Sequence, residues 1–130
     1  MAWTAKRVVV TGAGGFIGSH LAEALVKAGA AVTAVVRYNS RGDDGSLRYL
    51  DSATRASLRI HRIDLADVDA TREALKGAEI VFNLAAFVGI PYSYASPHDA
   101  VMNNVVSTLN VLSVAREAGL EKLVQTSTSE

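Results

Sequence analysis

Four glycines fall within seven positions, at Gly12, Gly14, Gly15 and Gly18, directly after the run RVVVT (7–11) and directly before a helix-like pattern. A glycine inside a helix or strand destabilises it by roughly 0.5–1 kcal/mol relative to alanine. A cluster of them at a strand-to-helix junction therefore implies that something comes close to that backbone. Gly12, Gly15 and Gly18 are spaced G-x-x-G-x-x-G, and the strand-then-helix setting is that of a dinucleotide-binding turn. In such a turn Gly12 permits the sharp bend, Gly15 admits a pyrophosphate and Gly18 allows close packing of the helix. The free N–H groups and dipole at the helix start favour the negative charge.

The rest of the chain alternates between two periods. Strands are expected at 7–11, 31–36, 58–64, 79–86 and 122–128. A helix is expected over 16–29, with Ile17, Leu21, Ala24, Leu25 and Ala28 on its inner face and Gly29 ending it. Residues 38–57 are polar and hold at most a short helix around 46–56; 66–77 read as a two-turn helix and 87–96 as a loop. Ser96 followed by Pro97 marks an N-cap and first helical position, opening a helix through Val101, Val105, Leu109, Leu112 and Ala115 to Gly119. Apolar strands alternating with helices predict an α/β fold: a Rossmann-type doubly wound parallel sheet of five strands, order 3-2-1-4-5, with helices on both faces. Ligands of such sheets bind beyond the strands' carboxyl ends, where the order reverses.

At 130 residues the chain has the length of one domain. Thirteen basic and thirteen acidic side chains cancel, so no net charge draws it to nucleic acid or a membrane surface. The arginines at 37, 41, 48, 55, 59 and 62, set against Asp43, Asp44 and Asp51, read mostly as a solvated surface. Cysteine is absent, and His20, His61 and His98 lack metal-ligand spacing, so no metal site is expected. There is no apolar run of membrane-spanning length and no signal-peptide core, which makes a soluble, cytoplasmic protein the expectation. The fifth strand has an open edge, which leaves room for a homo-oligomer.

With these pieces the chain resembles the extended short-chain dehydrogenase/reductases that act as nucleotide-sugar epimerases and dehydratases. Thr11 to Gly18 matches that family's TGxxGxxG, and Asp64-Leu65 is similar to its adenine-contacting pair. NLAA (83–86) resembles its HLAA, with Asn83 in place of histidine; Asn104 and STLNVL (107–112) resemble N-x-x-GT-x-N-[LV]-L, with Ser107 in place of glycine. TSTSE (126–130) resembles the start of the catalytic S-[ST]-x-x-VYG segment. The resemblance implies a cofactor site at Gly12, Gly15, Phe16, Ile17, Gly18, Arg37, Asn39, Ser40, Asp64, Leu65, Leu84, Ala85, Ala86, Asn104 and Thr126.

An acidic side chain after the second strand usually receives the ribose hydroxyls of NAD. Here Val36 is followed by Arg37, and no acid occurs before Asp43. A guanidinium suits a 2′-phosphate, so NADP is expected; the alternative is NAD with Arg37 stacked on adenine. The resemblance further implies that Thr128 assists at a sugar C4 hydroxyl. It makes Thr128-Ser129-Glu130 the counterpart of the dehydratases' Thr-Asp-Glu, with Glu130 removing the C5 proton and Ser129 in place of the usual acid. The implied reaction is 4,6-dehydration of a nucleotide sugar; 4-epimerisation and a non-catalytic dinucleotide-binding module remain alternatives. None of Tyr38, Tyr49, Tyr92 and Tyr94 has a lysine four residues on. Residues 1–130 are therefore expected to be the dinucleotide-binding domain of such an enzyme, inactive alone, with the substrate domain outside them.

Overall fold

In the computed structural model, which describes residues 2–129, the apolar runs become five parallel strands. These are β1 (Arg7–Thr11), β2 (Ala31–Arg37), β3 (Arg59–Ile63), β4 (Ile80–Asn83) and β5 (Lys122–Gln125). The helices are α1 (Phe16–Lys27), α2 (Ser52–Ala56), α3 (Val68–Leu75), α4 (Ile90–Ala95), α5 (Pro97–Val101) and α6 (Ser107–Ala118). A 3₁₀ turn at Gly45–Tyr49 precedes α2, and one turn of π-helix at Met102–Val106 joins α5 to α6. The strand order is β3-β2-β1-β4-β5, as the alternation predicts. A crevice therefore opens above β1 and β4, where the order reverses.

Successive side chains along each strand serve opposite faces of the sheet. Val8, Val10, Ala34, Val36 and Ile80 pack with Ala22 and Leu25 of α1 and Leu47 of the 3₁₀ turn. Val9, Val35 and Val81 pack with Ala74 and Leu75 of α3 and Val111 and Val114 of α6. Thr11, Asn83 and Gln125 occupy matching register positions on β1, β4 and β5, which places three polar side chains in a row at the strands' carboxyl ends.

In two helices the buried face is rotated from the one their apolar spacing predicts: Leu25 and Ala115 are buried as expected, but most of the other expected residues are exposed. In α1 the buried residues are Gly18, Ser19, Ala22 and Leu25, whereas Ile17 is 68% exposed and Ala24 and Ala28 face solvent. Gly18 must lie on the turn itself, and bringing it inward rotates Ile17 out toward the crevice. In α6 the buried set is Ser107, Val111, Val114 and Ala115; Leu109 and Leu112 are exposed, as are Val101 at the end of α5 and Val105 in the π turn. Small and β-branched residues let α6 approach the sheet, and Asn110 bonds the carbonyls of Leu65 and Ala66 at 2.9 and 3.0 Å.

Residues 90–95 form α4 rather than loop. Pro97 does open α5, but the Ser96 side chain caps no backbone N–H; its hydroxyl supports the Asp99 carboxylate instead. The helix read as continuous from 97 is interrupted by the π turn, while Gly119 ends it in the left-handed region at φ 64°. β4 and β5 stop at Asn83 and Gln125, shorter than the apolar runs.

Candidate functional site

The glycine turn is compact on one side and open on the other. Gly12 has φ 67°, and a Cβ there would stand 2.8 Å from the backbone nitrogen of Ala85, so the bend needs glycine twice over. A Cβ on Gly18 would run into the Gly12 carbonyl. A Cβ on Gly15 would meet only the Gly12 oxygen, at 3.3 Å, and otherwise open space. Gly15 is the N-cap of α1, where no side chain caps the helix and no acid lies in its first turn. The first N–H groups of a twelve-residue helix thus face the crevice with no side-chain cap and no acid in the helix's own first turn. An open glycine at an uncapped helix start fits a pyrophosphate.

That crevice is a cavity of about 620 Å³. Its walls include Gly12, Gly15, Phe16, Ile17 and Gly18 from the turn and Arg37, Asp64 and Leu65 from the ends of β2 and β3. Leu84, Ala85 and Ala86 follow β4, and Thr126 and Thr128 follow β5. Residues implicated from the sequence as far apart as Gly12 and Thr128 therefore line one space. Val35, Val36, Ile63, Phe87, Val88, Asn103, Ser107 and Ser127 also line it; of these the sequence marked out Val36 at the end of the second strand, Ser107 in place of a family glycine and Ser127 within TSTSE. Ser129 is exposed and is not part of the wall, and Glu130 lies outside the described residues.

Asn39, Ser40 and Asn104 do not line the cavity. The Asn39 side chain is engaged within its own loop: Oδ1 accepts from the N–H groups of Arg41 (3.1 Å) and Asp43 (2.9 Å), and Nδ2 donates to the Asp43 carbonyl at 2.7 Å. Asn104, within the π turn, accepts from the Phe87 N–H at 2.6 Å and donates to its carbonyl at 2.9 Å. It pins the backbone of the segment that brings Phe87 and Val88 to the cavity.

The polar row across the strand ends is linked by hydrogen bonds, with Thr11 and Asn83 buried and Gln125 exposed. Thr11 Oγ1 donates to Asn83 Oδ1 at 2.5 Å and accepts from the Ala85 N–H at 3.1 Å. Asn83 Nδ2 donates to Gln125 Oε1 at 2.8 Å, and Gln125 Nε2 donates to the Thr126 carbonyl at 2.8 Å. The glycine turn and the 126–128 segment are joined through these side chains. Asp64 accepts from the Ala66 N–H at 2.9 Å, which fixes the bend after β3.

Among the described residues the Arg37 side chain makes no hydrogen bond or ion pair. Asp99 lies below the usual carboxylate range, chiefly because the Tyr92 hydroxyl donates to it at 2.9 Å; the Ser96 hydroxyl and the charges of His98 and Arg37 add to this. Among the described residues no three His, Cys, Asp or Glu side chains stand together as a metal site would require. No helix among them is long and apolar enough to cross a membrane.

The family model described as GDP-mannose 4,6 dehydratase matches residues 9–130. Over 125 residues the chain is 35% identical to UDP-N-acetyl-alpha-D-glucosaminuronate decarboxylase of Bacillus cytotoxicus, covering 96% of this chain and 37% of that protein. A UDP-N-acetylglucosamine 4-epimerase from Methanobrevibacter ruminantium M1, solved in complex with UDP-N-acetylmuramic acid, superposes with a TM-score of 0.82 at 33% identity, covering 97% of this chain and 39% of that one. MoeE5 in complex with UDP-glucuronic acid and NAD superposes with a TM-score of 0.76 at 36% identity, covering 95% and 37%. The chain thus spans less than two fifths of the length of each of these relatives. Matched from residue 9 to residue 130, it belongs to the GDP-mannose 4,6-dehydratase family, among the nucleotide-sugar epimerases and dehydratases of the extended short-chain dehydrogenase/reductase type.

Proposed function

We propose that these residues are the dinucleotide-binding part of a nucleotide-sugar 4,6-dehydratase, with NADP preferred to NAD. The observation that carries the reading is one continuous cavity running from the open side of Gly15 to Thr126, Ser127 and Thr128. The N–H groups of Phe16, Ile17 and Gly18 would hold the pyrophosphate, Asp64 and Leu65 would flank the adenine, and Arg37 would take the 2′-phosphate. When bound, the dinucleotide supplies reversible hydride transfer at a sugar carbon.

Thr128 stands on the cavity wall, in reach of a sugar lying beside the cofactor's reactive end. Its hydroxyl would orient the C4 hydroxyl, and the Glu130 carboxylate would remove the C5 proton ahead of water loss. Residues 1–130 lack a Tyr-x-x-x-Lys pair, so binding is assigned to them and turnover to a longer protein. A 4-epimerase is the second reading, favoured by the likeness to a solved UDP-N-acetylglucosamine 4-epimerase.

Titration calorimetry of the chain with NADPH and NADH tests the cofactor assignment. A charge-assisted contact of roughly 1.5–3 kcal/mol predicts about tenfold or greater preference for NADPH, reversed by Arg37→Asp. Equal affinities, or tighter NADH binding, overturn the NADP assignment; binding of neither overturns the dinucleotide reading. In a longer protein carrying the Tyr and Lys, Glu130→Gln should abolish the 4-keto-6-deoxy product while hydride exchange at C4 persists. Release of a 4-epimer by the unmutated protein would favour the epimerase.

A further inference from the structure

The G-x-x-G-x-x-G spacing accounts for Gly12, Gly15 and Gly18 but leaves Gly14 without a reason. In the fold Gly14 lies backbone to backbone against the segment after β2. The Ser46 N–H donates to the Gly14 carbonyl at 2.8 Å. The Asp44 carbonyl oxygen sits 3.1 Å from where a Gly14 Cβ would be, and a Cβ on Gly45 would stand 3.1 Å from the Gly14 carbonyl carbon. Gly45 itself has φ 62°. Two glycines therefore permit one close crossing, midway along the turn that faces the cavity.

What holds that crossing in place is a carboxylate removed from solvent. The Asp44 side chain is 1% exposed. Arg62 of β3 donates to it in a fork, Nε to Oδ1 at 2.7 Å and Nη2 to Oδ2 at 2.8 Å. Arg55 of α2 adds Nη2 to Oδ2 at 3.0 Å. A buried carboxylate is tolerated only when paired and hydrogen-bonded in this way. The two arginines are thus surface charges, 40% and 42% exposed, that also turn inward to a buried partner. They are the grip on a buried anchor.

We propose that Asp44 is a positioning residue for the dinucleotide turn: clasped by Arg55 and Arg62, it presses the 44–46 backbone onto Gly14 and so sets the shape of the turn that receives the pyrophosphate. The inference rests on the dinucleotide reading above. It differs from that reading in acting on the pyrophosphate end, so it concerns NADP and NAD alike.

The test is Asp44→Asn, with NADPH and NADH affinities measured by calorimetry at a temperature where circular dichroism shows parent and variant fully folded. Hydrogen exchange at the Ser46 amide is followed in parallel without ligand. Both affinities should fall by about tenfold or more, their ratio should stay within about twofold of the parent's, and Ser46 should exchange faster. Should Asp44→Asn fail to fold, Arg62→Lys keeps a cation beside Asp44 but loses the fork, and the same three shifts are expected at smaller amplitude. A lower melting temperature with unchanged affinities and Ser46 exchange would reduce Asp44 to a stability role and overturn the proposal. A changed NADPH-to-NADH ratio would place its effect at the ribose and overturn it equally. If the parent binds neither nucleotide, the dinucleotide reading fails and this proposal with it; faster Ser46 exchange would then show only that Asp44 holds the crossing.

Discussion

Gly15 and Gly18 lie three residues apart in one turn, yet substitution should damage different properties. A methyl on Gly18 would stand 2.8 Å from the Gly12 carbonyl carbon and 2.9 Å from the Ala13 Cα, against about 3.5–4.0 Å for unstrained carbon contacts. Both obstacles are backbone. Relief requires lifting α1 off the turn or pushing the turn toward Ala85, where Gly12 already abuts. Overpacking of this kind costs about 1–3 kcal/mol, and alanine's better helix propensity offsets about 1 kcal/mol of it. Gly18→Ala should therefore lose about 2 kcal/mol at the strained end of that range, or roughly 6–12 °C in melting temperature at this chain length. At Gly15 the same carbon meets only one oxygen at 3.3 Å, and the backbone (φ −77°, ψ 173°) suits any residue. Gly15→Val should cost about 1 kcal/mol or less, the difference between glycine and valine at an N-cap. Its side chain would stand where, on the proposed dinucleotide reading, a pyrophosphate meets the helix N–H groups. Losing two charge-assisted bonds lowers NADPH affinity by more than about a hundredfold. Thermal melts and calorimetry on both variants check the pair. A Gly15→Val chain that unfolds, or that binds like the parent, would refute the division of labour. So would a Gly18→Ala chain as stable as the parent.

Two further outcomes follow from the packing and the charges. Glu79 is held below the usual carboxylate range, chiefly by the Arg7 N–H at 2.8 Å and then by Lys6, and Asp51 by the Thr54 hydroxyl and amide. Lowered carboxylates stabilise the fold above their unfolded values and lose that contribution as pH falls through their folded ones. Urea midpoints should accordingly decline below the ordinary carboxylate range. They should decline again at strongly alkaline pH, where Lys6, raised chiefly by its bond to Glu121, gives up its proton. An acid limb as steep in Glu79→Gln as in the parent would contradict this. On α6, Val111→Ala should cost about 2 kcal/mol, whereas Leu109→Gln, 59% exposed, should change stability by about 0.5 kcal/mol or less; chemical denaturation giving the reverse ranking would show that α6 packs by its other face.

The strand order was legible because each strand is an apolar run flanked by helical periods, and right-handed crossovers leave few topologies. Which end of each strand meets the crevice was legible for the same reason, although β4 and β5 stop three residues short of the expected strands, and so residues as distant as Gly15, Asp64 and Thr126 could be placed together. Helix faces were not. Apolar spacing in α1 placed Ile17, Leu21, Ala24, Leu25 and Ala28 inside; Leu25 is buried and Leu21 packs on the core, but close approach put Gly18, Ser19 and Ala22 inside in place of Ile17, Ala24 and Ala28. In α6 the largest apolar residues stay outside and Ser107 goes in. Periodicity reports that a stripe exists, while contact distance decides which stripe is used. Phe87, Val88 and Asn103 reached the cavity through α4 and the π turn, local conformations for which neither propensity nor spacing gives a signal. Asn39 and Asp44 were readable as loop residues, but their roles depend on partners brought near only by the fold.

The segment that follows β2 keeps its shape and its outward chemistry on separate residues. Asn39, Asp43 and Asp44 tie the path of the chain with their side chains. Arg37, Tyr38, Ser40 and Arg41 are exposed and, among the described residues, supply no side-chain bond to it. Exchanges at those four positions should change the loop's outward chemistry while leaving its course intact, and of the four Arg37 alone lines the cavity. If the proposed dinucleotide reading holds, coenzyme preference should be open to single-step change at Arg37, and a library randomised at the four positions should explore outward chemistry with the loop's own bonds intact.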